Sequence, residues 1–160
     1  MPNWCEGSLR IRGRGKDIYE FLTTEITAIK GSEESNIKDI DTIYSEYDDE
    51  VSIAFCFKGE HRLWLNNSRR VFFDDGEVEL HPNSEALKSA AFVIKQAWDI
   101  EIKQFVSVSK KYNLDMNISA FEKGQQFQRE IQIRKGFVQK DEIFTYDDWT
   151  FECPCPLLGG

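Results

Sequence analysis

The sequence is poor in the residues that most often mark chemistry. Its 160 residues include two histidines, four cysteines, and 20 lysines and arginines against 28 aspartates and glutamates. His61 and His81 are the only histidines available as general bases. No Gly-x-Ser-x-Gly elbow and no His-Glu-x-x-His pair is present, so nothing in the sequence predicts an enzyme. An uncharacterised enzyme is a further alternative, in which Cys5 or Cys153 would act as a nucleophile beside His61 or His81. The four cysteines, Cys5, Cys56, Cys153 and Cys155, are too few and too scattered for a disulfide framework, and reduced thiols are expected. One residue separates Cys153 from Cys155 where a zinc knuckle has at least two, and Asp74, Asp75, Gly76 and Glu77 lack the ladder of a calcium loop. Neither a metal nor a cofactor is therefore expected.

Long apolar runs are missing too. No stretch reaches the ~18 residues of a membrane span, and no basic segment followed by an apolar one opens the chain, which predicts a cytoplasmic protein without a signal peptide. The shortage of cations leaves a formal net charge of −8. A field of that sign opposes general adhesion to nucleic acid or an anionic membrane and favours a basic partner.

What is present is 41% hydrophobic and 13% aromatic, enough for the core of one domain over residues 1–160. Leu9 and Ile11 alternate with Arg10 and Arg12, the period of a strand with one buried face. Ile18, Phe21, Leu22, Ile26 and Ile29 recur at helical spacing between Asp17 and Gly31, predicting a first helix. Residues 32–50 turn polar and acidic and read as a surface excursion. Residues 51–57 alternate as a strand ending in a turn at Lys58 and Gly59, with 61–65 pairing back on it. Asp74, Asp75 and Gly76 between two short β-rich runs predict a hairpin. Residues 85–95 fit a helix or a strand. Trp98, Ile102, Phe105, Ser109 and Tyr112 mark one side of a second helix, with Lys110 and Lys111 suiting its C-terminal dipole. Residues 114–121, 127–134 and 137–146 read as meander strands, and 150–160 as an irregular tail. The order predicts an α+β fold with helices packed on one face of an antiparallel sheet.

Met1, Pro2, Asn3, Trp4 and Cys5, then Trp98, Phe105 and 109–112, then 121–124 with Phe127, resemble the ferredoxin-like domain of phage and plasmid proteins of the YubB type. The resemblance implies a ferredoxin-like antiparallel sheet with two helices on one face and extra C-terminal strands. It also implies an accessory role on a mobile element, and it carries no catalytic residues over.

Two constellations are candidate sites. Arg10, Arg12 and Arg14 share one strand face, and Lys16 follows at a strand-to-helix turn whose N–H groups could help hold a phosphate or nucleotide. Arg69 and Arg70 are possible additions. The alternative is an ordinary solvated sheet face. The second constellation is acidic: Glu46, Asp48, Asp49, Glu50, Asp74, Asp75, Glu77, Glu79, Asp141, Glu142, Asp147 and Asp148. If contiguous, such carboxylates steer a basic partner or imitate nucleic-acid phosphates; if dispersed, they serve solubility. Tyr44 and Tyr47 give the 44–50 segment aromatic anchors inside a charged rim, so Tyr44, Glu46, Tyr47, Asp48, Asp49 and Glu50 are the expected partner-binding residues. The favoured reading is a non-enzymatic counter-defence inhibitor, resembling an anti-CRISPR protein in role, that occupies a basic nucleic-acid-binding site of a host protein such as a nuclease of a defence system. The chain ends in Leu157, Leu158, Gly159 and Gly160, an ending similar to the diglycine terminus of ubiquitin-like modifiers.

Overall fold

The computed structural model describes residues 3–55 and 60–160. The strand end at Cys56 and Phe57 and the turn at Lys58 and Gly59 lie outside the described residues. Strand β1 (Trp4–Arg14) alternates as its sequence requires: Cys5, Leu9 and Ile11 are buried while Arg10 and Arg12 are exposed. It runs between β8 (Leu87–Ala97) and β9 (Asp115–Glu122), antiparallel to both. Beyond β9 come β10 (Phe127–Arg134) and β11 (Phe137–Thr145), the expected meander. Beyond β8 lies β7 (Val71–Leu80), where the sheet forks. The start of β7 pairs with β6 (Arg62–Leu65), which leads to β2 (Ile26–Lys30) and β3 (Glu33–Asn36). Its far half pairs with β5 (Glu50–Phe55), which leads to β4 (Tyr44–Tyr47).

The fork has a local cause. Register shifts between Phe73 and Asp75, and Gly76 adopts φ 148°. A Cβ there would stand 2.4 Å from the Phe92 ring, so only glycine lets β7 bend over it. Asp74, Asp75 and Gly76 therefore make a bulge within one strand, where the sequence predicts a hairpin. Phe55, Phe73 and Phe92 pack against one another with ring centroids 5.1–5.6 Å apart.

Helices α1 (Gly15–Glu25) and α2 (Ile102–Lys111) cover one face and meet through Phe21 and Tyr112, whose rings lie 5.8 Å apart. Ile18, Phe21, Leu22 and Phe105 are buried beneath them. The fold is thus α+β on an antiparallel sheet, but the eleven strands and third short helix α3 (Trp149–Glu152) found among the described residues replace the expected ferredoxin-like two-helix arrangement. Two of the additional strands, β3 and β4, come from the polar segment 32–50, where hydrophobic patterning is weakest.

Several local expectations are corrected. The first helix stops at Glu25, because Ile26 and Ala28 are buried by pairing with Leu65 and Leu63, a period of two that the helical spacing of Ile26 and Ile29 conceals. Residues 61–65 pair with β2 and β7, not with β5. Residues 32–50, expected as a surface excursion, are mostly exposed and form β3, a 3-10 turn (Ile37–Asp39) and β4, anchored by buried Ile37 and Ile43. Of residues 85–95, those from Leu87 onward belong to β8. Trp98 stands before α2 with φ 67° and is 50% exposed under the Arg69 guanidinium, so it is no part of the helical face.

Candidate functional site

The acidic segment closes a tight hairpin. Tyr47 pairs with Glu50 across a two-residue turn in which Asp48 and Asp49 have φ 47° and 67°, the double left-handed geometry of a type I′ turn. Tyr47 is 80% exposed at its tip. Strand alternation puts Tyr47, Glu50, Ser52 and Ala54 on one face, and pairing sets Ser52 opposite Glu79 and Ala54 opposite Glu77. The structure thereby joins two acidic stretches that are separate in sequence. Glu50 contacts His81 at 2.8 Å, whereas Glu46, Asp48, Asp49, Glu77 and Glu79 form no ion pair among the described residues. Tyr44 turns inward instead. Its hydroxyl lies 3.3 Å from that of Tyr19, and burial, with that contact, raises its phenol above the ordinary value.

Of the remaining acids of the sequence constellation, all but Asp147 are engaged locally, Asp75 through the Gly76 N–H. Asp74 pairs with Lys95, Asp141 with Arg129 and Glu142 with Lys140, while Asp148 caps α3 through the Phe151 N–H. These groups serve local structure.

The cations of β1 are divided by their partners. Arg14 holds Asp17 and Glu85, Lys16 reaches Glu85, and Arg12 donates to Asp115 at 2.7 Å. The N–H groups of Gly15 and Lys16 at the start of α1 donate to the carbonyls of Ala86 and Ser84, both at 3.0 Å. Neither of these two donors is left for an anion. Arg10 differs: it is exposed and makes no side-chain hydrogen bond or ion pair among the described residues. It faces Ala91 and Asn117 on the neighbouring strands, and these small side chains leave a depression of about 360 Å³ on the face opposite α1 and α2. Arg12, Ser89 and Arg134 complete its rim. Arg134 had no sequence signal, because only β9–β10 pairing carries it there. Its Nη1 donates to the Met116 and Ile133 carbonyls and to Asn117 Oδ1. Arg69, over Trp98 at the far end of β8, does not join this group.

Cys5 is fully buried, and burial first, then Asp99 and Glu122, push its thiol far above the ordinary range, which suppresses the nucleophilic thiolate. Cys153 packs against Phe121 and Trp149 in a small second core. Around it the tail is docked. Trp149 Nε1 donates to the Pro156 carbonyl at 2.9 Å, and Gly160 exchanges backbone hydrogen bonds with Trp4 at 3.1 and 3.2 Å. Gly159, at φ 83°, lies so close to Phe121 that a Cβ would stand 2.6 Å from its carbonyl oxygen. The glycines of the terminus thus have a packing role against the sheet. Among the described residues no helix is long and apolar enough to cross a membrane. No protein-family model matches the chain, and no curated protein or solved structure matches it.

Proposed function

We propose that this protein works by binding, and that it offers the β4–β5 hairpin to a basic surface of a partner protein. The observation that carries this reading is Tyr47, 80% exposed beside the turn at Asp48 and Asp49 and on one strand face with Glu50, with Glu77 and Glu79 alongside and Glu46 next to it on the other face. Carboxylates without cationic partners steer a basic protein toward the tip, and an exposed aromatic ring supplies the contact that holds it. In its specific form, the partner is a host nucleic-acid-binding protein such as a defence nuclease. The carboxylates then occupy the place of phosphates, and the chain acts as a phage or mobile-element inhibitor in the host cytoplasm.

The proposed kinship to YubB-type proteins rests on the residues quoted above. A ferredoxin-like centre is supported by the order β9-β1-β8-β7, with α1 following β1 and α2 joining β8 to β9.

The test is affinity capture from host lysate with the wild type, with Asp48→Lys/Asp49→Lys/Glu50→Lys and with Tyr47→Ala, followed by binding kinetics on the captured protein. The reading expects a basic partner whose association slows and loses its salt dependence in the charge reversal, and whose dissociation speeds in Tyr47→Ala. Equal association rates for wild type and charge reversal at low salt would overturn it.

A second reading has one observation in its favour, the guanidinium of Arg10 beside Arg12 and Arg134 in the open-face depression. It makes the depression a site for a phosphate-bearing ligand. Calorimetry with inorganic phosphate and with a nucleotide at low salt tests it, and absence of heat with both ends it.

A further inference from the structure

The proposed partner site leaves one surface unexplained. Strand β11 pairs with β10 along one side and with no strand of the described residues along the other. Four of its large apolar side chains are exposed: Phe137 at 74%, Val138 at 47%, Ile143 at 57% and Phe144 at 43%. A free strand edge of this length and composition invites another strand.

The order of residues along β11 says which strand fits. Phe137 and Val138 stand at one end and Ile143 and Phe144 at the other, with Lys140, Asp141 and Glu142 between. Gln139 is a bulge, since Gln132 of β10 faces Lys140 and Ile133 faces Val138. When an antiparallel copy of β11 is laid along the free edge about a two-fold axis at Asp141, and Gln139 is skipped as it already is toward β10, the strand matches itself. Lys140 then falls opposite Glu142 of a second copy, Val138 opposite its Ile143, and Phe137 opposite its Phe144.

The faces agree as well. Val138 and Ile143 are in register with Ile133 and Arg129, whose side chains point to the helix-covered side. Phe137 and Phe144 are in register with Arg134 and Gln128 on the open side. Lys140 and Glu142 share one face, because their side chains already meet at 3.1 Å within a chain. At the axis the two Asp141 carboxylates do not meet as bare charges, for Arg129 holds both oxygens of each. We propose that β11 is the homodimerisation edge of this protein, joining two copies antiparallel about Asp141 into one continuous sheet. The interface is isologous, so each complementary pair occurs twice. The mid-strand charges that repel unrelated strands become attractive pairs only in this register.

Sedimentation of the full chain over a range of concentrations tests the proposal, together with Lys140→Glu and Glu142→Lys. The wild type is expected to dimerise reversibly. Each single reversal puts like charges opposite each other twice and should weaken the dimer by about tenfold or more. An equimolar mixture of the two variants restores opposite charges at both positions and should recover the dimer. A second readout needs no variant: amide exchange of residues 137–145 in the wild type should slow as concentration rises. A wild type that stays monomeric, single variants that dimerise as well as the wild type, a mixture that does not recover, or exchange independent of concentration would each overturn the proposal.

Discussion

The guanidinium of Arg129 grips Asp141 with both arms, Nε donating to Oδ1 at 2.8 Å and Nη2 to Oδ2 at 2.9 Å. Its remaining nitrogen, Nη1, donates to Asp99 and to the Ile100 carbonyl, so one side chain ties the edge strand to the loop that enters α2. Arg129→Met leaves two carboxylates facing a lost cation and should cost ~1–3 kcal/mol, discounted because both acids are partly solvated. Arg129→Lys should recover only part of this, since an ammonium cannot make the fork. Urea unfolding monitored by tryptophan fluorescence measures both.

Acid should expose a second tie between elements. Burial works to raise the carboxyl of Glu25, but hydrogen bonds from Lys111 Nζ and Tyr112 Oη, both 2.7 Å, outweigh it and hold the group below its ordinary 4.5. A depressed carboxyl stabilises the folded state fully above the unfolded value and progressively less as pH falls through the folded one. The unfolding free energy should therefore decline below about pH 4.5, and Glu25→Gln should flatten that decline while lowering stability at neutral pH. An identical acid limb in the variant would show that this cluster does not contribute.

Core truncations separate the true helical face from the apparent one. Phe21→Ala and Phe105→Ala remove side chains that are 1% exposed and should each cost ~3–5 kcal/mol. Trp98→Ala, although it fits the same helical spacing in the sequence, should cost ~1 kcal/mol or less because the ring is half exposed and outside α2. Comparable losses for Trp98 and Phe105 would contradict the helix boundary.

Turn shape and turn charge can be separated at the hairpin tip. Asp48→Asn together with Asp49→Gly supplies the residues a type I′ turn prefers while removing two negative charges. Stability should hold or rise by ~0.5–1 kcal/mol, and association with a basic partner should slow. A loss of stability in thermal unfolding would mean that the two carboxylates support the turn itself.

The elements legible in the sequence are those whose evidence is local. Leu9 and Ile11 alternating with Arg10 and Arg12 identify β1, and Phe105, Ser109 and Tyr112 identify a face of α2, because a strand or helix buries residues at its own period whatever lies opposite. Legibility fails where a local pattern has two meanings. Ile26 and Ile29 suit a helix as well as a strand, and pairing with Leu63 and Leu65 decides between them. Asp75 and Gly76 suit a turn as well as a bulge, and the Phe92 ring decides.

By itself the sequence determined an acidic, aromatic-rich α+β chain with Tyr47 and its carboxylates in a polar segment. Only the tertiary structure decided that Glu77 and Glu79 flank that segment, that Arg134 reaches Arg10, that Glu85 engages Arg14, and that Gly160 lies against Trp4. The physical reason is common to all four: each depends on the register between strands or segments that are distant along the chain. Register is set by the burial of whole faces together, and no single stretch of sequence carries it.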